Sequence, residues 1–134
     1  MDSKISLSTV VLDCPDAHEL AAFYQRLLGW ELTIEEDDWV LMRHPAGGTG
    51  LSFQTEEWYV RPVWPDEEGK PTKMLHLDFV VSDLAQAVEH AIQCGAEHAS
   101  VQYFETVHVM LDPAGHPFCL FKDCLLYTSP SPRD

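Results

Sequence analysis

Apolar residues along this chain follow two rhythms, and the order in which those rhythms alternate occurs twice. Ile5 to Leu12 (ISLSTVVL) is rich in β-branched and apolar residues and stops at Asp13-Cys14-Pro15-Asp16, which reads as a strand running into a helix start. Asp16 can serve as an N-cap with Glu19 three positions on. Leu20, Phe23, Tyr24, Leu27 and Leu28 then fall at i, i+3, i+4, i+7 and i+8 before Gly29. That spacing predicts an amphipathic helix with a glycine stop. Behind it, WELTIEE (30–36), WVLMR (39–43) and GLSFQT (50–55) read as three short strands, separated by Asp37-Asp38 and by His44-Pro45-Ala46-Gly47-Gly48.

The same order then recurs. MLHLDFVV (74–81) reads as a strand and Asp83 as a cap; Leu84, Ala87, Val88, Ala91 and Ile92 repeat the helical stripe before Gly95. SVQYFE (100–105), VHVML (107–111) and, after Asp112-Pro113-Ala114-Gly115, PFCLF (117–121) read as strands. The caps Asp16 and Asp83 stand 67 residues apart and the stops Gly29 and Gly95 stand 66 apart. VLMRHPAGGTGLSF (40–53) against HVMLDPAGHPFCLF (108–121) shares Met, Pro-Ala-Gly and a final Phe at an offset of 68. A duplication follows: two β-α-β-β-β units, each with too few strands to cover its own apolar face.

Length and charge narrow the partners. The 134 residues suit one domain able to bury a core without staples. With 8 Lys and Arg against 22 Asp and Glu, the net charge of −14 repels phosphate backbones and anionic membrane surfaces, so nucleic acid and membrane are excluded as expected partners. The first residues hold one lysine and no long apolar run, and no stretch approaches about 18 apolar residues. Neither a signal peptide nor a membrane span is read, and the expected compartment is the cytoplasm. Cys14, Cys94, Cys119 and Cys124 form no C-x-x-C pair and read as reduced thiols. CLLYTSPSPRD (124–134) belongs to neither repeat. It reads as a disordered tail, similar to a translated sequencing-adaptor read-through, and fold reasoning stops near residue 123.

The segments LDCPDAHELAAFYQRLLGWE and HLDFVVSDLAQAVEHAIQCGA, with HVMLDPAGHPFCLF, resemble the two halves of the glyoxalase-like (vicinal oxygen chelate) superfamily over about residues 5–122. The F-Y-x-x-L-L-G-W and D-P-x-G-x-P-F motifs carry the resemblance. It implies an α+β domain over 1–123, with module one about 5–55, an aromatic linker 56–73, module two about 74–122, and two βαβββ modules forming a curved mixed sheet around a cleft. The superfamily spans lyases and isomerases such as glyoxalase I, ring-cleaving dioxygenases, epimerases and antibiotic-binding proteins of the bleomycin-resistance kind. The resemblance therefore carries fold further than chemistry. It also implies a homodimer and a small organic molecule as ligand.

Metal-dependent members place four His, Gln or Glu ligands on the first and last strands of each module. Carried onto this chain, those positions fall on Thr9, on Leu51 or Ser52, on His76 and on Cys119. One imidazole, one thiol, a hydroxyl and an aliphatic or second hydroxyl do not suit a hard octahedral metal, and no divalent metal or other cofactor is expected. A zinc ion held by His76 and Cys119 would need further ligands such as His108 or Asp78. His76 and Asp78 alternate with Leu77 and Phe79 along one strand, so they share a face and form the candidate acid–base pair. The linker QTEEWYVRPVWPDEEGKPTK holds Trp58, Tyr59 and Trp64, aromatics that should cover either a ligand or a partner subunit. Ligand contact is thus expected from Thr9, Phe53, Trp58, Tyr59, Trp64, His108 and Cys119, and catalysis, if any, from His76 and Asp78. A binding or resistance-type protein, an enzyme, and a partner module all fit this pattern.

Overall fold

A computed structural model of the chain describes residues 5–122; the tail assigned to 124–134 lies outside the described residues. The chain divides into two compact units, one running through Val60 and the other from Arg61.

In the first unit, β1 (Thr9–Cys14), α1 (Ala17–Leu28), β2 (Leu32–Glu36), β3 (Trp39–Met42) and β4 (Gly50–Thr55) build one sheet in the order β1-β4-β3-β2. The β1–β4 pair is parallel and the others are antiparallel. The helix begins where its free amides find acceptors. The Asp16 carboxylate accepts from the backbone N–H of His18 at 3.0 Å and Glu19 at 3.3 Å, and Thr55 Oγ1 accepts from Ala17 N–H at 2.8 Å. It ends at Gly29, left-handed at φ 76°, whose N–H bonds Gln25 O at 2.8 Å. Register lines up Leu12, Phe53 and Val40 in one row beneath α1, where Tyr24 stacks on Phe53 with ring centroids 5.6 Å apart. All four are fully buried, and each large apolar side chain contributes about 1.5–3 kcal/mol by leaving water.

The second unit repeats the plan with β5 (Leu77–Val81), α2 (Leu84–Cys94), β6 (Glu97–His98), β7 (Val107–Leu111) and β8 (Pro117–Lys122), in the order β5-β8-β7-β6. Asp83 caps α2 by accepting from Gln86 N–H at 3.1 Å. Phe79 and Phe118 meet edge to face at 5.8 Å on the side of the sheet that carries Leu77 and Val81. Within α2, Ala91 and Cys94 are buried while Ile92 is 45% exposed, so the expected stripe is turned toward its cysteine side.

Three expected strands differ. β5 begins at Leu77 rather than Met74, so His76 precedes it and Met74 is exposed. β1 starts only at Thr9, because β4 begins opposite it at Gly50; Ile5 and Leu7, ahead of that pairing, are exposed. SVQYFE is not a strand: the fourth strand is the two-residue β6, paired with Leu111 and Met110. The Gln102 side chain takes the place of a longer strand. Its amide donates to Ala99 O and Val109 O and its Oε1 accepts from Val109 N–H, each at 2.8 Å, so that together with Ala99 N–H donating to Val109 O at 3.0 Å it satisfies the edge of β7 beyond β6. Among the described residues, no helix is long and apolar enough to cross a membrane.

The linker belongs to the second unit from Arg61 onward. Arg61 donates to Pro113 O at 2.9 Å, lies 3.7 Å from Glu97, and lays its stem over Gly115, where an added Cβ would meet Arg61 Cγ at 2.5 Å. Gly115 also has φ 93°, so two reasons require glycine there.

Candidate functional site

Strand alternation sets the chemistry of the second sheet. Leu77, Phe79 and Val81 lie on the α2 side, which leaves Asp78 and Val80 on the opposite face; His76 stands just ahead of β5, and its ring reaches Asp78. The parallel register puts Asp78 directly beside Cys119 of β8. His76 Nε2 lies 3.4 Å from Asp78 Oδ1, and the ligating atoms of His76, Asp78 and Cys119 all fall within 4.8 Å of one another. The cluster is accessible: the His76 side chain is 46% exposed and that of Asp78 is 25% exposed. Val109, opposite Cys119 in the antiparallel register, is buried and gives the cluster an apolar flank. An imidazole beside a carboxylate and a thiol can exchange a proton, orient a polar ligand or hold a cation.

The matching positions of the first unit follow from register, which resolves the choice between Leu51 and Ser52. Val10 pairs with Leu51 as Leu77 pairs with Phe118, so Ser52 is the counterpart of Cys119. The offset of 68 holds as far as the Pro-Ala-Gly turn and then drops to 67. Met42 lies opposite Leu51, nine positions later, whereas Met110 lies opposite Phe118, eight later. The shared final Phe is thus not a structural match: Phe53 corresponds to Leu120. Thr9 Oγ1 and the fully buried Ser52 Oγ bond each other at 2.8 Å, the first unit's equivalent of the His76–Cys119 pair. Two neutral hydroxyls satisfying one another, with one imidazole and one soft thiol in the other module, do not fit the hard divalent metal that the family pattern implies.

The remaining expected contacts are scattered. Phe53 lies in the core beneath α1, on the sheet face opposite Ser52, because strand neighbours point to opposite sides. His108 stands on the α2 face of β7 and bonds His98 through Nδ1 and Nε2 at 2.9 Å, so it does not join His76, Asp78 and Cys119. Trp64 is held inside its own unit: Nε1 donates to Val101 O at 3.2 Å, the Tyr103 ring packs edge to face with the indole at a centroid distance of 6.0 Å and Lys73 Nζ lies 5.0 Å from its ring centre. Trp58 is 83% exposed and Tyr59 half-buried.

Sequence reasoning passed over three polar features. Gln102 and Arg61 have no local pattern that announces their partners. The third is a hollow of about 480 Å³ in the first unit, lined by Trp30, Arg43 and His44 among others, with the Trp30 and His44 rings 4.8 Å apart.

Comparison with known proteins agrees with this fold. A glyoxalase-like domain family model matches residues 9–121. The fold is similar to that of a glyoxalase/bleomycin resistance protein/dioxygenase family enzyme from Burkholderia phytofirmans PsJN, at 21% identity and TM-score 0.69, covering 90% of this chain and 100% of that one. It is also similar to a glyoxalase family protein from Enterococcus faecalis (20% identity, TM-score 0.64, 87% and 96% covered) and a glyoxalase-related enzyme from Fulvimarina pelagi (15%, 0.64, 88% of each). No curated protein matches. Two β-α-β-β-β units in tandem, with the matched span running from β1 to β8, place the chain in the glyoxalase-like domain family.

Proposed function

We propose that the chain binds a small organic molecule at the His76–Asp78–Cys119 face of the second sheet, without the hard divalent metal of its metal-dependent relatives. The observation that carries this reading is the convergence of three polar, chemically distinct side chains on an accessible strand face whose reverse side is apolar core. Such a face offers a donor, an acceptor and a soft atom to one ligand, with Val80 and Val109 as apolar neighbours. A thermal-shift screen of small organic acids, thiols and aromatic compounds tests it, since a compound that binds only the native state raises Tm by mass action. The reading expects at least one compound whose shift disappears in His76→Ala and persists in Phe53→Leu. Shifts indifferent to His76 would place the ligand elsewhere.

A second reading is an enzyme of the lyase, isomerase or dioxygenase-like kind, favoured by the 3.4 Å approach of His76 to Asp78. Asp78 would orient the imidazole while His76 takes or gives a proton. Turnover of a screened ligand by the native chain, abolished in His76→Ala and reduced in Asp78→Asn, would select this reading. We further propose a cytoplasmic protein that pairs as a homodimer. Cys14, Cys94 and Cys119, which form no disulfide among the described residues, support a reducing compartment, and exposed Trp58 and Phe104 support an interface. The charge of −14 supports a partner list without nucleic acid or membrane.

A further inference from the structure

The hollow in the first unit plays no part in the proposed function, and its walls follow from strand pairing. β2 and β3 pair antiparallel with Leu32 opposite Met42. The same register, carried one and two residues outward, brings Glu31 opposite Arg43 and Trp30 opposite His44. The second match is met, with the Trp30 and His44 rings 4.8 Å apart and inclined at 52°. Just inside it the register shifts between Leu32 and Ile34, which makes Thr33 the extra residue of a bulge; its hydroxyl donates to Leu41 O at 3.2 Å. Gly29 completes the lining, and a side chain there would meet nothing within 4 Å. The space is about 480 Å³, a volume typical of small-molecule clefts.

Glu31 and Arg43 both line this hollow without pairing with each other: the ion pairs among the described residues are Arg61–Glu97, Lys73–Asp66 and His76–Asp78. A guanidinium carries five N–H donors, and that of Arg43 commits one nitrogen to Ser8 Oγ at 3.4 Å. His44 Nδ1 accepts from Ala46 N–H at 2.9 Å, so the neutral ring carries its proton on Nε2 and can donate there. Two groups that attract an anion therefore share the hollow with two that attract a cation, the Glu31 carboxylate and the negative end of α1, which stops at Gly29. In a chain of charge −14, a ligand with no net charge also avoids the repulsion that an anion meets on approach.

We propose that this hollow is a second binding site, for a free α-amino acid with an aromatic side chain. The ligand's carboxylate takes the Arg43 fork and the His44 Nε2–H, its ammonium takes Glu31, and its ring lies against the Trp30 indole. A carboxylate without an amine would leave Glu31 facing a like charge, and an amine without a carboxylate would leave Arg43 doing so; a zwitterion satisfies both. Residues inside a peptide lack both charges and are excluded. The site lies wholly within module one and does not depend on the His76–Asp78–Cys119 face.

The test is titration of L-phenylalanine into the full, nitrogen-15-labelled chain, with affinity read by calorimetry and location by NMR. The chain holds 4 tryptophans, and the indole N–H signal of Trp30 is identified by its loss in Trp30→Phe. That signal should shift saturably as L-phenylalanine is added. 3-Phenylpropionate, which lacks the ammonium, and phenethylamine, which lacks the carboxylate, should each bind at least about tenfold more weakly, as should L-phenylalanine to Arg43→Gln and to Glu31→Gln. His76→Ala should leave the affinity unchanged. If either variant fails to fold, the two analogues still decide the matter on the native chain. No shift of the Trp30 signal at millimolar L-phenylalanine, equal affinity for 3-phenylpropionate or phenethylamine, or binding lost in His76→Ala would overturn the site. A compound whose binding is lost in His76→Ala bears on the proposed function alone, and one lost in Arg43→Gln bears on this site alone.

Discussion

Asp112 and His44 do one task with different atoms. Asp112, buried at the turn before β8, accepts from Ala114 N–H and His116 N–H, both at 2.9 Å and both on Oδ1. His44 accepts from Ala46 N–H at 2.9 Å through Nδ1 at the corresponding turn before β4. Each side chain closes a Pro-Ala-Gly turn by satisfying amides that no strand reaches. Asp112→Ala should lower stability by roughly 2–3 kcal/mol, because two amides lose a charged acceptor in a buried place; Asp112→Asn retains the Oδ1 acceptor and should cost about half as much. Urea denaturation of the two variants checks the order. Phe53 gives the complementary case: Phe53→Ala should cost about 3–5 kcal/mol by leaving a cavity against Tyr24, with ligand affinity changed only through stability. Weakened binding in a folded Phe53→Leu variant would return this residue to the site.

The elements show how a side chain can substitute for a strand. β7 is covered by β6 for only two residues, and Gln102 supplies the next donor and acceptor set. Gln102→Ala should destabilise by about 1–3 kcal/mol and speed hydrogen exchange at Val109 N–H. Gln102→Glu should be worse than alanine, since a carboxylate cannot donate to the carbonyls of Ala99 and Val109. Exchange mass spectrometry reads both effects. The aromatic linker behaves as part of its unit rather than as a free loop: Trp64→Phe keeps the ring but loses the bond to Val101 O, for an expected loss of about 1 kcal/mol in thermal unfolding.

At the scale of the whole molecule, the donor types bear on which metal the proposed function would involve. Thr9 and Ser52 satisfy each other, and Cys119 is a soft donor, so the positions that the resemblance assigns to a metal hold no set of hard ligands. Protein purified without chelator should therefore contain no stoichiometric nickel, manganese or magnesium, and a methylglyoxal–glutathione assay should show no glyoxalase I activity. Elemental mass spectrometry and the assay on one sample check both; a tightly held hard metal lost in His76→Ala would show that the chain completes an oxygen-rich set from other residues.

Helix caps, glycine stops and the duplicated order of elements were legible in the chain because each depends on residues within one or two turns of one another: Asp16 reaches only to Glu19, and Gly29 only to Gln25. The two-residue spacing that brings His76 to Asp78 is local in the same sense. Tertiary structure decided everything that required pairing across the chain. One extra residue before β4 makes Ser52 rather than Leu51 the counterpart of Cys119, and a slip of that size reverses which side chains face the core. Phe53 went to the core and His108 to His98 for the same reason. The placing of Cys119 beside Asp78 is a register between strands 41 residues apart, which no short-range pattern encodes because backbone hydrogen bonds are alike at every register and only the assembled sheet selects among them.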